Sequence, residues 1–134
     1  MDQAFRENPD ADVVHGDFIV VGPDGNALSA RREIPLRARY VSNGFLNVFS
    51  CATFFHRRLF EEGLLKFDLA FRVAGDADLM LRLLEARRKF VQLHSYLSLF
   101  GVDGNNLSTQ GPLVAKEAVM VRDRHHALRS APLR

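Results

Sequence analysis

The sequence predicts an α/β fold, α+β by content, with a mixed sheet flanked by helices in a single domain spanning residues 1–134. Three observations carry this expectation. Val13–Val21 is a Val-, Ile- and Phe-rich run of strand character. Asp76–Arg87 places Leu79, Met80, Leu83 and Leu84 on one helical face, with Asp78, Arg82 and Glu85 off it. Further short apolar runs follow before a last amphipathic stretch, and strands alternating with helices define the class. At 134 residues the chain can bury one sizeable core.

From the N-terminus, Asp2–Asn8 reads as the last turns of a helix, with Pro9 marking its end. The apolar residues of Val13–Val21 do not alternate cleanly, which suits a strand buried on both faces. Gly22-Pro23-Asp24-Gly25-Asn26 is a strong turn signal, because Pro presets φ and Gly tolerates the left-handed region. A return strand from Ala27 to about Ile34 completes a hairpin, and Arg31, Arg32 and Glu33 place it at an edge. Leu36–Val41 suggests a short helix, and Phe45–Phe55 an extended segment ending in a strand at Ala52–Phe55. Arg57–Gly63 reads as a helical turn or two closed by Gly63. Lys89–Leu93 and Tyr96–Gly101 read as two short strands, and Asp103–Asn106 as a loop. A final helix is expected over about 112–129, with Val114, Ala118, Val121 and Leu128 on one face.

Composition narrows the function classes. A net charge of +2 gives no argument for nucleic acid. The single Cys51 cannot form an internal disulfide and is expected to be buried, which suits a reducing cytoplasm. Met1–Asp12 has no apolar core of a signal peptide, and Phe45–Phe55 is too short and too polar to span a bilayer. A cytoplasmic chain is therefore expected.

Few residues carry chemistry in a recognisable pattern. Asp-x-Asp occurs at Asp10/Asp12 and at Asp76/Asp78, and a divalent cation favours such oxygen pairs. Neither pair follows a buried strand at its C-terminal end, so neither is expected to bind metal. Asp76 has two readings: a cap for its helix, or a general base held ionised by the helix dipole. Asp78 is spaced to pair with Arg82. The histidines show no zinc-ligand spacing, so His15 and His94 are read as satisfied structural imidazoles. The basic tail Arg122, Arg124, His125, His126, Arg129 and Arg134 is read as the solvated end of a helix rather than a membrane-surface contact.

Read in order, several phrases resemble family-2 glycosyltransferases of the GT-A type. Ala11-Asp12-Val13-Val14-His15-Gly16-Asp17 is similar to that family's Asp-x-Val-x-Tyr-Gly-Asp strand, with His15 in place of Tyr. Ala52 to Phe60 resembles the Thr-Phe-Phe-Arg-Arg-x-Leu-Phe segment beside the acceptor pocket, and Phe67-Asp68 the Phe-Asp-Glu phrase. Gly75-Asp76-Ala77-Asp78-Leu79-Met80-Leu81-Arg82-Leu83 resembles the Glu-Asp-x-Asp-Leu-x-x-Arg-Leu helix, and Leu97–Ser108 the closing strand and loop. The core of the resemblance covers residues 11–108.

The resemblance implies an inverting, non-processive transfer of a sugar from a nucleotide-sugar donor to an acceptor hydroxyl, the acceptor being a sugar or a lipid-linked sugar. The processive subgroup's Gln-x-x-Arg-Trp motif has no counterpart, since the chain contains no Trp. Asp76 corresponds to the general base, with Gly75 where the family has Glu. Phe54, Phe55, His56 and Arg57 correspond to the acceptor-side segment, and Asp78 and Arg82 to supporting positions. Only sixteen residues precede Asp17, so the nucleotide-binding N-terminal half and its metal motif are expected to be missing. This chain is then expected to bind no cofactor itself, with Mg or Mn needed only in the full-length enzyme, and to be inactive alone. Val13–Val21, deprived of partner strands, is expected to drive self-association into a dimer. Two alternatives compete: a non-catalytic interaction module derived from the same fold, and a metal-dependent enzyme using Asp76 and Asp78 as ligands.

Overall fold

The computed structural model describes residues 1–32, 50–103 and 111–125. The expected helix at residues 36–41, the front of the segment at 45–55, most of the loop after Asp103 and the chain beyond His125 lie outside these residues. The elements are α1 (Asp2–Glu7), β1 (Val13–Val21), β2 (Ala27–Arg31), a 3-10 turn (Ser50–Ala52), β3 (Thr53–Phe55), α2 (Arg57–Glu61), α3 (Gly75–Glu85), β4 (Phe90–Gly101) and α4 (Gly111–Arg124). The mixed class expected from the sequence holds.

β1 is the centre of the sheet. β4 runs parallel to it along one side, while β3 and β2 share the other side, both antiparallel. β3 pairs with Val13 to His15, and β2 takes over from Phe18 to Val21. This overturns the expectation that β1 exposes unpaired backbone, and with it the reason given for self-association. The expectation rested on the resemblance, which places partner strands in an absent N-terminal half; here β3 and β4, distant in sequence, pair with β1 instead.

The hairpin forms as the turn residues dictate. Gly25 takes φ of +81°, its N–H bonds the Gly22 carbonyl, and the Asp24 carboxylate accepts the Asn26 N–H at 3.0 Å. β2 is exposed throughout, as its charges suggested. β4 corrects a second expectation. The two short strands are one twelve-residue strand whose register slips against β1. The step from His15 to Asp17 faces the step from Gln92 to Tyr96, and the next single step faces Tyr96 to Ser98. The apparent break at His94-Ser95 is a bulge.

Alternate residues of β1 face opposite layers. Val14 packs with Ala4 and Ala11 against α1, while Val13 packs with Leu59, Leu79 and Leu83 against α2 and α3. The other side of α3, through Ala77, Met80 and Leu81, packs against Val121 of α4 and Phe71. Helix α3 is therefore sandwiched, and this corrects its single apolar face. Leu81 and Asp78 are fully buried, whereas Leu84 is only half-buried.

Both α2 and α3 end in the same motif. After α2, Gly63 adopts φ of +75°, and the N–H groups of Gly63 and Leu64 bond the carbonyls of Phe60 and Leu59. After α3, Arg87 occupies that left-handed position at φ of +57°, with Arg87 and Arg88 bonding Leu84 and Leu83. Without a Gly to mark it, the end of α3 falls two residues before the expected Arg87.

Leu83 is 1% exposed in the sheet-facing cluster. Leu83→Ala should lower the unfolding free energy by about 2–5 kcal/mol in urea titrations; a loss within ~0.5 kcal/mol would place this side chain outside the core.

Candidate functional site

Helix α3 begins with two carboxylates one residue apart that meet opposite environments. Asp76 lies in the first turn and is half-buried. Its Oδ1 accepts the N–H of Ala77 at 2.8 Å, and among the described residues no cation reaches it. Burial pushes its carboxyl above the ordinary value, against the pull of that hydrogen bond. Desolvation thus works against the helix terminus, which favours the ionised form. Asp76 does not cap the helix: the N-cap is Ala74, and no side chain there makes a cap bond.

Asp78 is wholly buried yet held charged. Arg82 Nε donates to Oδ2 at 2.9 Å, His125 Nε2 lies 2.8 Å from Oδ1, and Arg124 reaches Oδ1 at 3.3 Å. Burial raises its pKa, but the bonds from His125 and Arg82 and the charges of Arg82 and Arg124 outweigh it and hold the carboxyl below the ordinary value. The expected Asp78–Arg82 pair is present; its burial was not expected. His125, read as part of a solvated tail, is 2% exposed and bonds Glu85 through Nδ1. Burial depresses the imidazole, yet its two carboxylate partners raise it overall above the ordinary value.

The loop entering α3 is fixed by a residue the sequence reading overlooked. Glu117 of α4 is 2% exposed and accepts three backbone N–H groups, from Arg72 at 2.6 Å and from Val73 and Ala74 at 2.7 Å. Its pKa is lowered because these bonds outweigh the cost of burial. The signal was available, since position 117 falls on the inner stripe with Val114 and Val121. Gly75 needs no special space: an added Cβ would meet Phe67 at an ordinary 3.5 Å.

The acceptor-side candidates do not converge. Phe54 is 36% exposed, while Phe55 turns inward between the two clusters that flank α3. His56 caps α2, its Nδ1 accepting the Arg58 N–H at 3.1 Å, and its ring meets Phe5 edge-on. Arg57 is exposed and pairs with Glu61 at 3.0 Å.

Other acids and imidazoles are placed as follows. Asp12 bonds Arg58 at 2.7 Å, and Asp10 bonds Lys89. Cys51 is half-buried rather than buried. His15 is buried, but its Nδ1 has no hydrogen-bond partner, so it is not the satisfied imidazole expected. Burial lowers it to about 4 against the pull of Asp17. His94 is exposed within the bulge of β4. Among the described residues no group of three His, Cys, Asp or Glu side chains could hold a metal ion, and no helix is long and apolar enough to cross a membrane. Neither family models nor curated proteins yield a match to this chain.

The opposed shifts predict opposed responses to pH. Glu117 has a lowered pKa, so its stabilisation is full above the unfolded value of about 4.3 and is lost as pH falls through the folded value. Glu117→Gln should therefore cost about 2 kcal/mol at neutral pH, with the deficit shrinking on acidification. Asp76 has a raised pKa, so stability is lost as pH rises through its folded value. Asp76→Asn should melt higher than the parent at pH 7 and converge with it below about pH 3.9. Thermal melts from pH 3 to 8 check both signs, and a lower melting temperature for Asp76→Asn at pH 7 would refute the second.

Proposed function

We propose that this chain supplies the acceptor-side, base-carrying part of an inverting glycosyltransferase with a GT-A-type scaffold. The activity is single transfer of a sugar from a nucleotide-sugar donor to an acceptor hydroxyl. The observation that supports the reading best is the contrast between Asp76 and Asp78. Adjacent carboxylates driven to opposite protonation behaviour mark an acid–base assignment, and here burial raises Asp76 while cations hold Asp78 down. The ordered phrases over residues 11–108 point the same way.

In this reading Asp78 is a positioning residue. Its bond to Arg82 lies within α3, and its bonds to Arg124 and His125 tie the first turn of α3 to the end of α4. Asp76, with no cation drawing on it among the described residues, is the group able to accept a proton. As the acceptor hydroxyl attacks the anomeric carbon from the face opposite the nucleotide, Asp76 takes the hydroxyl proton. The glycosidic C–O bond forms as the bond to the nucleotide phosphate breaks, and configuration inverts. A carboxylate whose pKa is raised by burial is a stronger proton acceptor than an ordinary one. Among the described residues no group of three His, Cys, Asp or Glu side chains could hold the divalent metal that the resemblance implies.

The test is transfer from nucleotide sugars by protein that carries a donor-binding half together with these residues. Asp76→Asn should reduce kcat by about 10²–10⁴-fold, with the donor KM little changed. Near-normal kcat in Asp76→Asn would sink the assignment.

A further inference from the structure

A second candidate site lies where the sheet is twice interrupted. On one side of β1, pairing with β3 ends at His15 and pairing with β2 begins at Phe18, so the neighbouring strands part at Gly16 and Asp17. On the other side, the bulge of β4 spans the same two residues. Gly16 permits the bulge: a Cβ there would come within 2.6 Å of the Leu97 side chain and 3.0 Å of the Ser95 carbonyl. The register of β2 continues from Phe18↔Arg31 to bring Arg32 opposite Asp17. A pocket of about 330 Å³ lies here, lined among the described residues by Asp17, Arg32, His94 and Tyr96. Its volume is at the lower end of small-molecule sites, about 300–1,000 Å³.

The lining selects the ligand. Asp17 is 6% exposed and offers only acceptor oxygens when ionised, whereas Arg32 offers only donors. Arg32 is held charged by a hydrogen bond with Tyr96 and by the field of Asp17. A phosphate would face the Asp17 carboxylate, and a cation the Arg32 guanidinium, so each meets a charge of its own sign. A neutral polyol meets neither penalty. Each hydroxyl can donate to Asp17 and accept from Arg32 or His94, and the half-exposed Tyr96 offers a ring against an apolar sugar face. We infer that this pocket binds one neutral sugar ring. The inference rests on the glycosyltransferase reading in assigning that ring to the acceptor.

The experiment records amide NMR spectra of this chain titrated with neutral methyl glycosides of glucose, galactose, mannose and N-acetylglucosamine, and in parallel with inorganic phosphate and magnesium. At least one glycoside should shift Gly16, Asp17, Phe18 and Tyr96 in a saturable, millimolar titration. Asp17→Asn should weaken that binding by about tenfold, the loss of one charge-assisted hydrogen bond. Because Asp17 is buried, His94→Ala and Tyr96→Ala at exposed positions provide independent variants and should also weaken it. Saturable shifts only with phosphate or magnesium, shifts confined to other surfaces, or no shifts with any glycoside would each overturn the proposal. Transfer assays separate the two readings. An unchanged acceptor KM in His94→Ala and Tyr96→Ala removes the subsite alone, whereas normal turnover in Asp76→Asn removes the base and leaves sugar binding at the pocket untouched.

Discussion

The fold depends on the corner built around Asp12. Its carboxylate accepts Arg58 Nε at 2.7 Å and the Lys89 N–H at 2.9 Å, with Arg88 at 3.8 Å. Its own N–H bonds the Lys89 carbonyl, and its carbonyl accepts the His56 N–H. One residue thus joins the starts of β1, α2 and β4, which are far apart in sequence. Almost buried, the carboxylate is raised by desolvation, yet the Arg58 bond and the Lys89 N–H lower it overall. Removing one partner from such a group is costly because an uncompensated charge remains in a dry place. Arg88 also pairs with Glu62, so the end of α2 is drawn to the same corner.

Glu117 extends this framework to the front of α3. A loop that enters a helix leaves N–H groups pointing inward, and buried donors must find acceptors. Here one carboxylate from α4 accepts three of them, at residues 72–74. The consequence for Asp76 is geometric. Its backbone is anchored from both sides, by the Glu117 clamp before it and by Asp78 with Arg82 and His125 after it. A carboxylate raised by burial raises the energy of its own ionised state, and such a group keeps its place only where neighbouring structure over-determines it. The first turn of α3 satisfies that condition.

Where local chemistry decided the structure, the sequence was readable. Val13–Val21 announced itself through β-branched density, the hairpin through Pro23 and Gly25, and the end of α2 through Gly63. Elements set by distant partners were not readable. Asp78 looks like a surface acid until His125 and Arg124 cover it from another helix. The end of α3 was hidden because Arg87, not Gly, takes the left-handed position. The continuity of β4 was hidden because the register of a bulged strand is fixed by β1 rather than by its own polar residues. For the candidate site, the sequence located the acids but not their electrostatic states, which depend on burial and on α4.

His15 and Asp17 show how one strand divides core from site. They share a face of β1, but His15 packs edge-on against Phe90 and stays neutral at physiological pH because burial holds it near 4. A neutral imidazole cannot neutralise the carboxylate two residues on. Among the described residues, Arg32 leaving β2 carries a positive charge that interacts with it. That interaction requires β2 and β3 to part at this level, since continuous pairing would carry the backbone of one strand past the gap. The same parting, matched by the bulge on β4, leaves volume beside Asp17 rather than packed side chains. A buried acid in mid-strand and a break in pairing on both of its flanks are thus one structural requirement, and the pocket is its geometric result.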